Sequence, residues 1–333
     1  MSITVLKPGL LVTLQDTGRY GCGKYGISPA GAMDSFAYLI ANRLVGNEDE
    51  QAALEITWSG FAVEFERSLW VAITGGDLTP TIDGERVPMW RPVLIKAGSC
   101  LSFQQPVAGC RAYLAVSGGF DVQIMMNSYS TYLRAGIGGY EGRALKKGDT
   151  LSVRLSRLPL EAPERFLDEY GGFFTMRWFV SAGGYADSNR EIEIRVLKGR
   201  QYDDFDEFSQ QVLFDEFFTV TPQSDRMGYR LSGPTLQVSR SKEYISEPVA
   251  LGTVQVPADG QLIILMADRQ TLGGYPKIAQ IASVDIPLLA QLPAGGKIRF
   301  REVSLPEAEQ LSCAHIRELR LIEAMIKRKL KEW

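Results

Sequence analysis

Short runs of alternating apolar residues, separated by glycine-rich turns, cover most of the chain. The run 70–74 is rich in β-branched and aromatic residues and is followed by Gly75-Gly76, which predicts that a strand ends there. Asp83-Gly84 stands between two short β-rich runs and favours a two-residue hairpin turn. Further strand-like runs are 93–96, 101–103, 111–116 and 151–155. The pattern predicts a mainly β protein.

A small motif, G-x-x-Φ-x-Φ with Φ apolar, occurs three times and begins at Gly98, Gly148 and Gly295. A turn glycine followed by alternating apolar residues is typical of a strand that leaves a turn with one buried face. Because the third copy is far downstream, the motif favours two related β-domains. The alternative is that such strands recur in any β protein.

The β pattern is interrupted by Pro159, Pro163 and Gly171-Gly172. We therefore predict an N-terminal β-domain over residues 1–170, a C-terminal β-domain over 171–303, and a helix over 304–333.

Two segments have helical periodicity. Asp34 is a predicted N-cap for a helix that places Phe36, Leu39, Ile40 and Leu44 on one face. At the other end, Ser304 and Glu307 form a capping box. The stripe behind it consists of Ile316, Leu319, Ile322, Ile326, Leu330 and Trp333. This amphipathic helix is predicted to pack on the body or on a partner chain.

Composition narrows the function classes. The 333 residues carry a net charge of −3, which predicts no nucleic acid and no membrane as partner. No signal peptide and no long apolar stretch is present, so we expect a cytoplasmic protein. The four cysteines have no C-x-x-C spacing; Cys100 and Cys110 lie in neighbouring strand-like segments and could be close together, but buried thiols are expected for them. The single histidine, His315, argues against a Ser-His-Asp system or a histidine-rich metal site.

Two N-terminal segments carry secondary candidates. Residues 14–34 bring Asp16, Arg19 and Lys24 close to a helix start, where free N–H groups can bind an anion. The alternative is turn chemistry with a helix cap. Residues 134–143 place many glycines between Arg134 and Arg143, so backbone amides can approach a ligand. The alternative is a tight loop in a β-domain.

Two later segments carry the main candidates. An apolar run ends in Asp268-Arg269-Gln270-Thr271, followed by Gly273-Gly274-Tyr275 and Lys277, and polar groups at a strand end are typical of active sites. Upstream, Asp225, Arg226 and Tyr229 precede Glu247 and Gln255. Such a set can hold a small amide or carboxylate. The alternatives are surface turns joined by ordinary ion pairs for the upstream set, and an Asp-Arg salt bridge that caps a turn for the downstream one.

Together with residues 31–34, 74–77 and 117–119, these segments resemble, in chain order along residues 3–303, the family of the 5-oxoprolinase C subunit. That family is also labelled biotin-dependent carboxyltransferase and allophanate hydrolase subunit 2. It includes an antagonist of a sporulation-kinase inhibitor and part of urea carboxylase. The resemblance implies two cyclophilin-like β-barrel domains with a few helices.

The resemblance also implies an activity. With a B subunit similar to allophanate hydrolase subunit 1 and an A subunit, the chain is expected to open 5-oxoproline to L-glutamate with ATP and Mg²⁺. Phosphorylation of the lactam oxygen supplies a leaving group before water attacks.

On this hypothesis, Arg226, Arg269 and Lys277 hold anionic groups. Asp225, Glu247 and Asp268 are expected to handle protons or Mg²⁺. The predicted substrate pocket consists of Tyr229, Gln255, Gln270, Thr271, Gly273, Gly274 and Tyr275.

Two alternatives stay open. One is a carboxyltransferase acting on urea or another amide. No Met-Lys-Met context is present, so we expect no biotin on this chain and a separate carrier. The other is a non-catalytic regulator that binds a kinase-inhibitor-type B subunit.

Overall fold

The protein forms two compact units. A computed structural model describes residues 1–155, 167, 171–181, 191–239 and 243–332. The first unit consists of Met1–Arg19, Asp34–Tyr185 and Arg320–Trp333, and the second of Tyr20–Met33 and Ala186–Leu319. The predicted limit at residue 170, with Pro159 and Pro163, lies outside the described residues. The domain limits 1–170 and 171–303 therefore stay a prediction.

The first unit is built from two antiparallel sheets. Its strands are β1 (Ser2–Pro8), β2 (Leu11–Gln15), β3 (Ala53–Thr57), β4 (Phe61–Phe65), β5 (Leu69–Asp77), β6 (Pro80–Ile82), β7 (Glu85–Arg86), β8 (Pro92–Ile95), β9 (Cys100–Phe103), β10 (Ala108–Val116), β11 (Thr150–Ser152) and β12 (Phe173–Thr175). The strand orders are β11-β1-β4-β9-β6-β7 and β12-β8-β5-β10-β3-β2. Ile3 and Phe61 from one sheet share a core with Val71 and Leu114 from the other. The two sheets therefore enclose one apolar core.

The second unit is a closed barrel. Its strands are β13 (Ile192–Lys198), β14 (Phe217–Val220), β15 (Gly228–Ser232), β16 (Glu247–Pro248), β17 (Thr253–Gln255), β18 (Ile263–Leu265), β19 (Leu272–Gly273), β20 (Lys277–Ile281) and β21 (Lys297–Glu302). The barrel order is β13-β20-β17-β18-β15-β14-β21, and β16 and β19 form a separate two-stranded sheet. The parallel pair β13 and β21 closes the ring, with Ile192 opposite Ile298. Closure leaves the barrel without sheet edges.

The mainly β prediction is confirmed. Alternation along the strands buries one face, and the apolar residues of the three motif copies are all buried: Leu101, Phe103, Leu151, Val153, Ile298 and Phe300. Asp83-Gly84 forms the predicted hairpin between β6 and β7, with Thr81 opposite Arg86. Asp83 and Gly84 have φ of 50° and 90°, as the hairpin turn requires.

The strand predicted over 70–74 and closed by Gly75-Gly76-Asp77 is longer than expected, because β5 includes both glycines and ends at Asp77. Gly75 has φ of 84°, and a Cβ there would lie 2.5 Å from the Arg111 carbonyl oxygen. The pairing of β5 with β10 shifts register between Ala108 and Ala112. The extra residues lie in β10, so Gly75 stands opposite a β-bulge and not at the end of its own strand.

Four α-helices occur among the described residues: Ser35–Leu44, Glu207–Asp215, Ile286–Ala290 and Leu305–Lys331. Asp34 caps the first helix as predicted, with its Oδ1 accepting a hydrogen bond from Ala37 N at 2.9 Å. In the C-terminal helix, Ser304 Oγ accepts from Glu307 N at 3.3 Å. No helix among the described residues is both long and apolar enough to cross a membrane.

The predicted stripe of the C-terminal helix is only partly covered. Ile326 is buried, whereas Ile316 remains 48% exposed. Leu319, Ile322 and Leu330 are half-buried, and Trp333 lies outside the described residues.

Candidate functional site

A tight turn follows β18 in the second unit. Met266 N donates to Met227 O at 3.0 Å, and Asp268 N donates to Arg226 O at 2.8 Å. The turn closes with a hydrogen bond from Arg269 N to Met266 O at 3.2 Å. The backbone that presents residues 268–270 is therefore held against the segment before β15.

Arg226 and Asp268 form a buried ion pair across this contact. Arg226 Nε donates to Asp268 Oδ2 at 3.0 Å, and Nη2 donates to Oδ1 at 2.8 Å. The same Nη2 also donates to Gly31 O at 2.7 Å, while Ser28 Oγ donates to Ala267 O at 3.2 Å. These bonds fasten the segment 28–31 onto the turn. The planar fork of arginine suits such a bidentate contact.

Arg269 stands next to this ion pair and is half-buried. Its Nε is buried and has no hydrogen-bond partner among the described residues, and its Nη1 makes a long 3.4 Å contact with Met266 O. Burial lowers the pKa of the Arg269 guanidinium, with a small opposing effect from Tyr20.

A second polar cluster surrounds the short sheet formed by β16 and β19. Lys277 Nζ donates to Glu247 Oε1 at 2.8 Å, and Arg200 Nη1 donates to Glu247 Oε2 at 2.7 Å. Gln201 reaches both partners, because its Nε2 lies 3.3 Å from Glu247 Oε1 and its Oε1 accepts from Lys277 N at 3.1 Å. The hydrogen bond from Lys277 lowers the pKa of the Glu247 carboxyl group.

The glycine turn after β18 packs against this cluster. Lys277 Nζ lies 3.5 Å from the carbonyl oxygens of Gly273 and Tyr275. Gln270 Nε2 is 3.5 Å from Gln255 Oε1, and Gln255 Nε2 is buried without an acceptor among the described residues. A Cβ at Gly273 would lie 2.4 Å from that nitrogen. Glycine at this position therefore leaves space for the Gln255 amide.

The other predicted residues of the second unit occupy different surroundings. Asp225 is exposed, and its Oδ1 accepts from Met227 N and Gly228 N. Tyr229 is buried in the barrel core, with its hydroxyl 3.4 Å from Ala290 O. Thr271 and Gly274 are half-buried and Tyr275 is 48% exposed. Their predicted roles stay predictions.

Asp16 and Arg19 are buried in the first unit. Asp16 accepts hydrogen bonds from Ser128 Oγ at 2.8 Å, from Tyr129 N at 2.5 Å, and from the Ser130 hydroxyl. Arg19 Nη2 donates to Ser130 O at 2.8 Å. Both side chains hold the loop 128–130, and a further role in binding stays a prediction.

The remaining secondary candidates are more exposed. The Lys24 ammonium lies 5.0 Å from the centre of the Tyr25 ring. Arg134 is exposed. Arg143 donates to Asp149 at 2.7 Å and to Glu141 at 2.7 Å, and these bonds raise its pKa.

The glycine-rich loop 134–143 lines a cleft of about 390 Å³ in the first unit. Gly138, Gly139 and Gly142 form one wall, and β11 forms another. Sequence reasoning proposed backbone approach to a ligand at this loop but missed Asp121 and its neighbours, which also line the cleft, because no motif marks them.

Sequence reasoning also missed Ser28, Gly31, Arg200 and Gln201 as partners of predicted site residues. Ser28 lies within residues 14–34, which were singled out as a candidate anion-binding segment, so its position was a usable signal. Arg200 and Gln201 follow a turn glycine without a motif, so nothing in the sequence distinguishes them.

Each carboxylate predicted to handle protons or Mg²⁺ has a partner within the protein, and its role stays a prediction. Asp268 is paired with Arg226, Glu247 is paired with Lys277, and Asp225 accepts from its own turn. Among the described residues, no group of three or more His, Cys, Asp or Glu side chains is arranged to hold a metal ion.

Comparison with known proteins defines the class of protein to which the chain belongs. A family model described as carboxyltransferase domain, subdomain A and B, matches residues 25–302. The chain belongs to this family, within which its similarity to the C subunit of 5-oxoprolinase is high.

The 5-oxoprolinase C subunit of Escherichia coli (strain K12) is 43% identical over 307 residues, which cover 92% of this chain and 93% of that protein. The protein of the same name from Haemophilus influenzae is 37% identical and covers 93% and 94%.

Among solved structures, the Kluyveromyces lactis urea carboxylase matches with a TM-score of 0.83 and 30% identity. The match covers 96% of this chain but 29% of that protein. The family assignment and the mainly β fold are thereby shown.

Proposed function

We propose that the chain is a subunit of an ATP-dependent 5-oxoprolinase that opens 5-oxoproline to L-glutamate. The observation that carries the proposal is the 43% identity with the E. coli 5-oxoprolinase C subunit, which extends over 93% of that protein. The urea carboxylase likeness, by contrast, covers less than a third of a longer protein.

The second unit offers groups suited to holding a lactam. Gln255 Nε2 lacks an acceptor among the described residues, so a substrate carbonyl oxygen would satisfy it. Lys277, Glu247 and Gln201 fix the turn around Gly273 next to that amide. A donor held in place before the substrate arrives costs little reorganisation when charge develops on the carbonyl oxygen.

Partner subunits complete the proposal. Both bacterial relatives are named as the C subunit of 5-oxoprolinase, and this naming supports assembly with A and B subunits. ATP with Mg²⁺ belongs to the complex in this proposal. Because Asp268 and Glu247 already form ion pairs with Arg226 and Lys277, we assign Mg²⁺ to no residue of this chain.

The test is the release of glutamate and ADP from 5-oxoproline and ATP by the chain mixed with candidate A and B partners, with each omitted in turn. We expect turnover to disappear when this chain is omitted. Unchanged turnover without it, or none from a well-formed complex, would refute the proposal.

A second candidate is carboxyl transfer to urea or another amide, favoured by the 30% identity and TM-score of 0.83 with the urea carboxylase. It predicts carboxylation of an added amide only when a biotin carrier and its carboxylase are supplied. The two candidates differ in whether that carrier is needed.

A further inference from the structure

The second unit contains three predicted anion-binding cations, and two of them are already neutralised. Arg226 is paired with Asp268 at 2.8 Å, and Lys277 is paired with Glu247 at 2.8 Å. Arg226 also donates to a backbone carbonyl, and the Lys277 ammonium has two carbonyl oxygens nearby in addition to its carboxylate. These two cations hold the protein together at the site.

Arg269 differs from both. No carboxylate among the described residues pairs with it, its Nε is buried without an acceptor, and the one hydrogen bond of its side chain is the 3.4 Å contact with Met266 O. Burial without a counter-ion disfavours the charged form, and it lowers the pKa of Arg269 accordingly. A charged group that is taken out of water without a partner destabilises the protein unless an anion joins it.

The backbone of the turn that carries Arg269 is held in place by hydrogen bonds. Asp268 is fixed by both its side chain and its amide, through the ion pair and the 2.8 Å bond to Arg226 O. Ser28 fixes Ala267 from the other side. Arg269 is thus presented from a turn whose position is set before any ligand arrives, which reduces the ordering cost of binding.

We propose that Arg269 binds the carboxylate of the substrate and so selects an amide that bears a carboxylate over a neutral one. The proposal rests on the proposed function and deepens it. A guanidinium fork matches a carboxylate in geometry and charge, and such an anion would give the half-buried guanidinium the counter-ion that it lacks among the described residues. 5-oxoproline carries such a carboxylate next to its lactam, whereas urea carries none.

The kinetic test compares 5-oxoproline with pyrrolidinone, the same lactam without the carboxylate, in the assembled complex with ATP. We expect Arg269→Met to raise KM for 5-oxoproline by about 10- to 100-fold, as loss of a charged hydrogen bond does. Arg269→Lys should recover part of the loss. The KM for pyrrolidinone should stay within about twofold of wild type, since no carboxylate is lost.

The matched control is Arg230→Met, which removes an exposed positive charge from β15 of the same barrel. It should leave both KM values unchanged. Urea denaturation of each variant separates a folding defect from a binding defect. An unchanged KM for 5-oxoproline in Arg269→Met, or an equal loss for both lactams, would overturn the proposal.

A binding arm keeps the test independent of turnover. Isothermal titration of the complex without ATP, using 5-oxoproline, pyrrolidinone and inorganic phosphate, should show 5-oxoproline binding that Arg269→Met weakens. If wild type fails to hydrolyse 5-oxoproline but binds it through Arg269, the proposed function fails and this inference stands. Loss of phosphate binding alone would assign Arg269 to phosphate and contradict the carboxylate assignment, as would no effect on any ligand.

Discussion

In the second unit, some polar residues stabilise the candidate site through contacts within the protein, and others are available to bind a ligand. Arg226 and Asp268 belong to the first group, because both are nearly fully buried and satisfy each other with two hydrogen bonds. Breaking such a pair leaves one charge buried without compensation, whereas removing both partners can be close to neutral.

We expect Arg226→Met to lower the free energy of unfolding by about 3–5 kcal/mol, because the buried Asp268 then loses the charge and the two hydrogen bonds of Arg226. Urea denaturation measures the change. The double variant Arg226→Met/Asp268→Leu is the control and should be more stable than Arg226→Met alone. A double variant that is no more stable would contradict the ion-pair explanation.

Gly273 should be sensitive to a single methyl group. A Cβ there meets Gln255 Nε2 at 2.4 Å, whereas at Gly274 the nearest atom is Ser246 Oγ at 3.1 Å. We expect Gly273→Ala to displace the Gln255 amide and reduce turnover of the complex about 10-fold or more. Gly274→Ala should have a smaller effect, and equal effects of the two substitutions would argue against a role for Gln255.

Glu247 should make stability depend on pH in one direction. Its pKa in the folded protein lies below the ordinary 4.5, chiefly because of the hydrogen bond from Lys277. Such a carboxylate stabilises the fold above its unfolded pKa, and the stabilisation is lost as the pH falls through the folded pKa. The unfolding free energy of wild type should therefore exceed that of Glu247→Gln at neutral pH, with a gap that narrows below pH 4.5.

Denaturation of both proteins across this pH range measures the gap. A gap that is constant with pH would show that Glu247 contributes nothing through its charge.

The sequence predicted the residue types of the site better than their partners. Polar groups at the end of an apolar strand marked Asp268 to Lys277, since strand ends next to glycine loops are common sites. The Arg226–Asp268 pair joins residues far apart in the chain, and Gln201 reaches Glu247 across a similar separation. Such pairings depend on how the strands of the barrel align with one another. A single sequence does not determine that alignment.

Among the elements, the glycine-rich loop 134–143 shows why a glycine count predicts little by itself. Gly142 and Gly136 both have positive φ, of 68° and 64°. A Cβ at Gly142 would lie 1.9 Å from Gly136 O, whereas a Cβ at Gly136 meets nothing within 4 Å. The two positions have the same backbone preference but very different space.

We expect Gly136→Ala to cost about 1–2 kcal/mol from backbone strain alone. Gly142→Ala should cost clearly more, because the backbone of the loop must also move. Thermal or urea unfolding of the two variants gives the comparison. Equal costs would mean that the loop adjusts freely and that only the conformational preference matters.

Local turn chemistry explains which elements could be predicted. Asp83-Gly84 fixes its hairpin through residues that accept positive φ, and Asp34 fixes a helix start with its own side chain. At Gly75 the same reasoning predicted the wrong strand end, because a glycine opposite a bulge and a glycine at a strand end look alike in sequence. The bulge lies in the neighbouring strand β10, and the sequence around Gly75 does not reveal that pairing.

At the scale of the whole molecule, neither unit is a continuous stretch of chain. The second unit takes Tyr20–Met33 from the N-terminal region, and the first takes Arg320–Trp333 from the C-terminus. Met33 is part of the barrel-unit core, and Gly31 accepts a hydrogen bond from Arg226. The segment 20–33 is therefore an integral part of the second unit.

We expect a separately expressed fragment 186–319 to be less stable than the same fragment with residues 20–33 joined to it by a flexible linker. Loss of Met33 leaves a cavity worth about 2–5 kcal/mol, and Arg226 loses an acceptor. Circular dichroism during thermal unfolding compares the two. Identical midpoints would show that the segment contributes little.

The assignment of Arg320–Trp333 to the first unit has a consequence for synthesis on the ribosome. The chain emerges from its N-terminus, so every strand of the first unit leaves the exit tunnel long before the last turns of the C-terminal helix exist. Until residues 320–333 have been synthesised, that unit lacks them, and Ile326 cannot yet be buried. Nascent chains should therefore expose apolar surface until these residues emerge, and chaperones can bind that surface in the meantime.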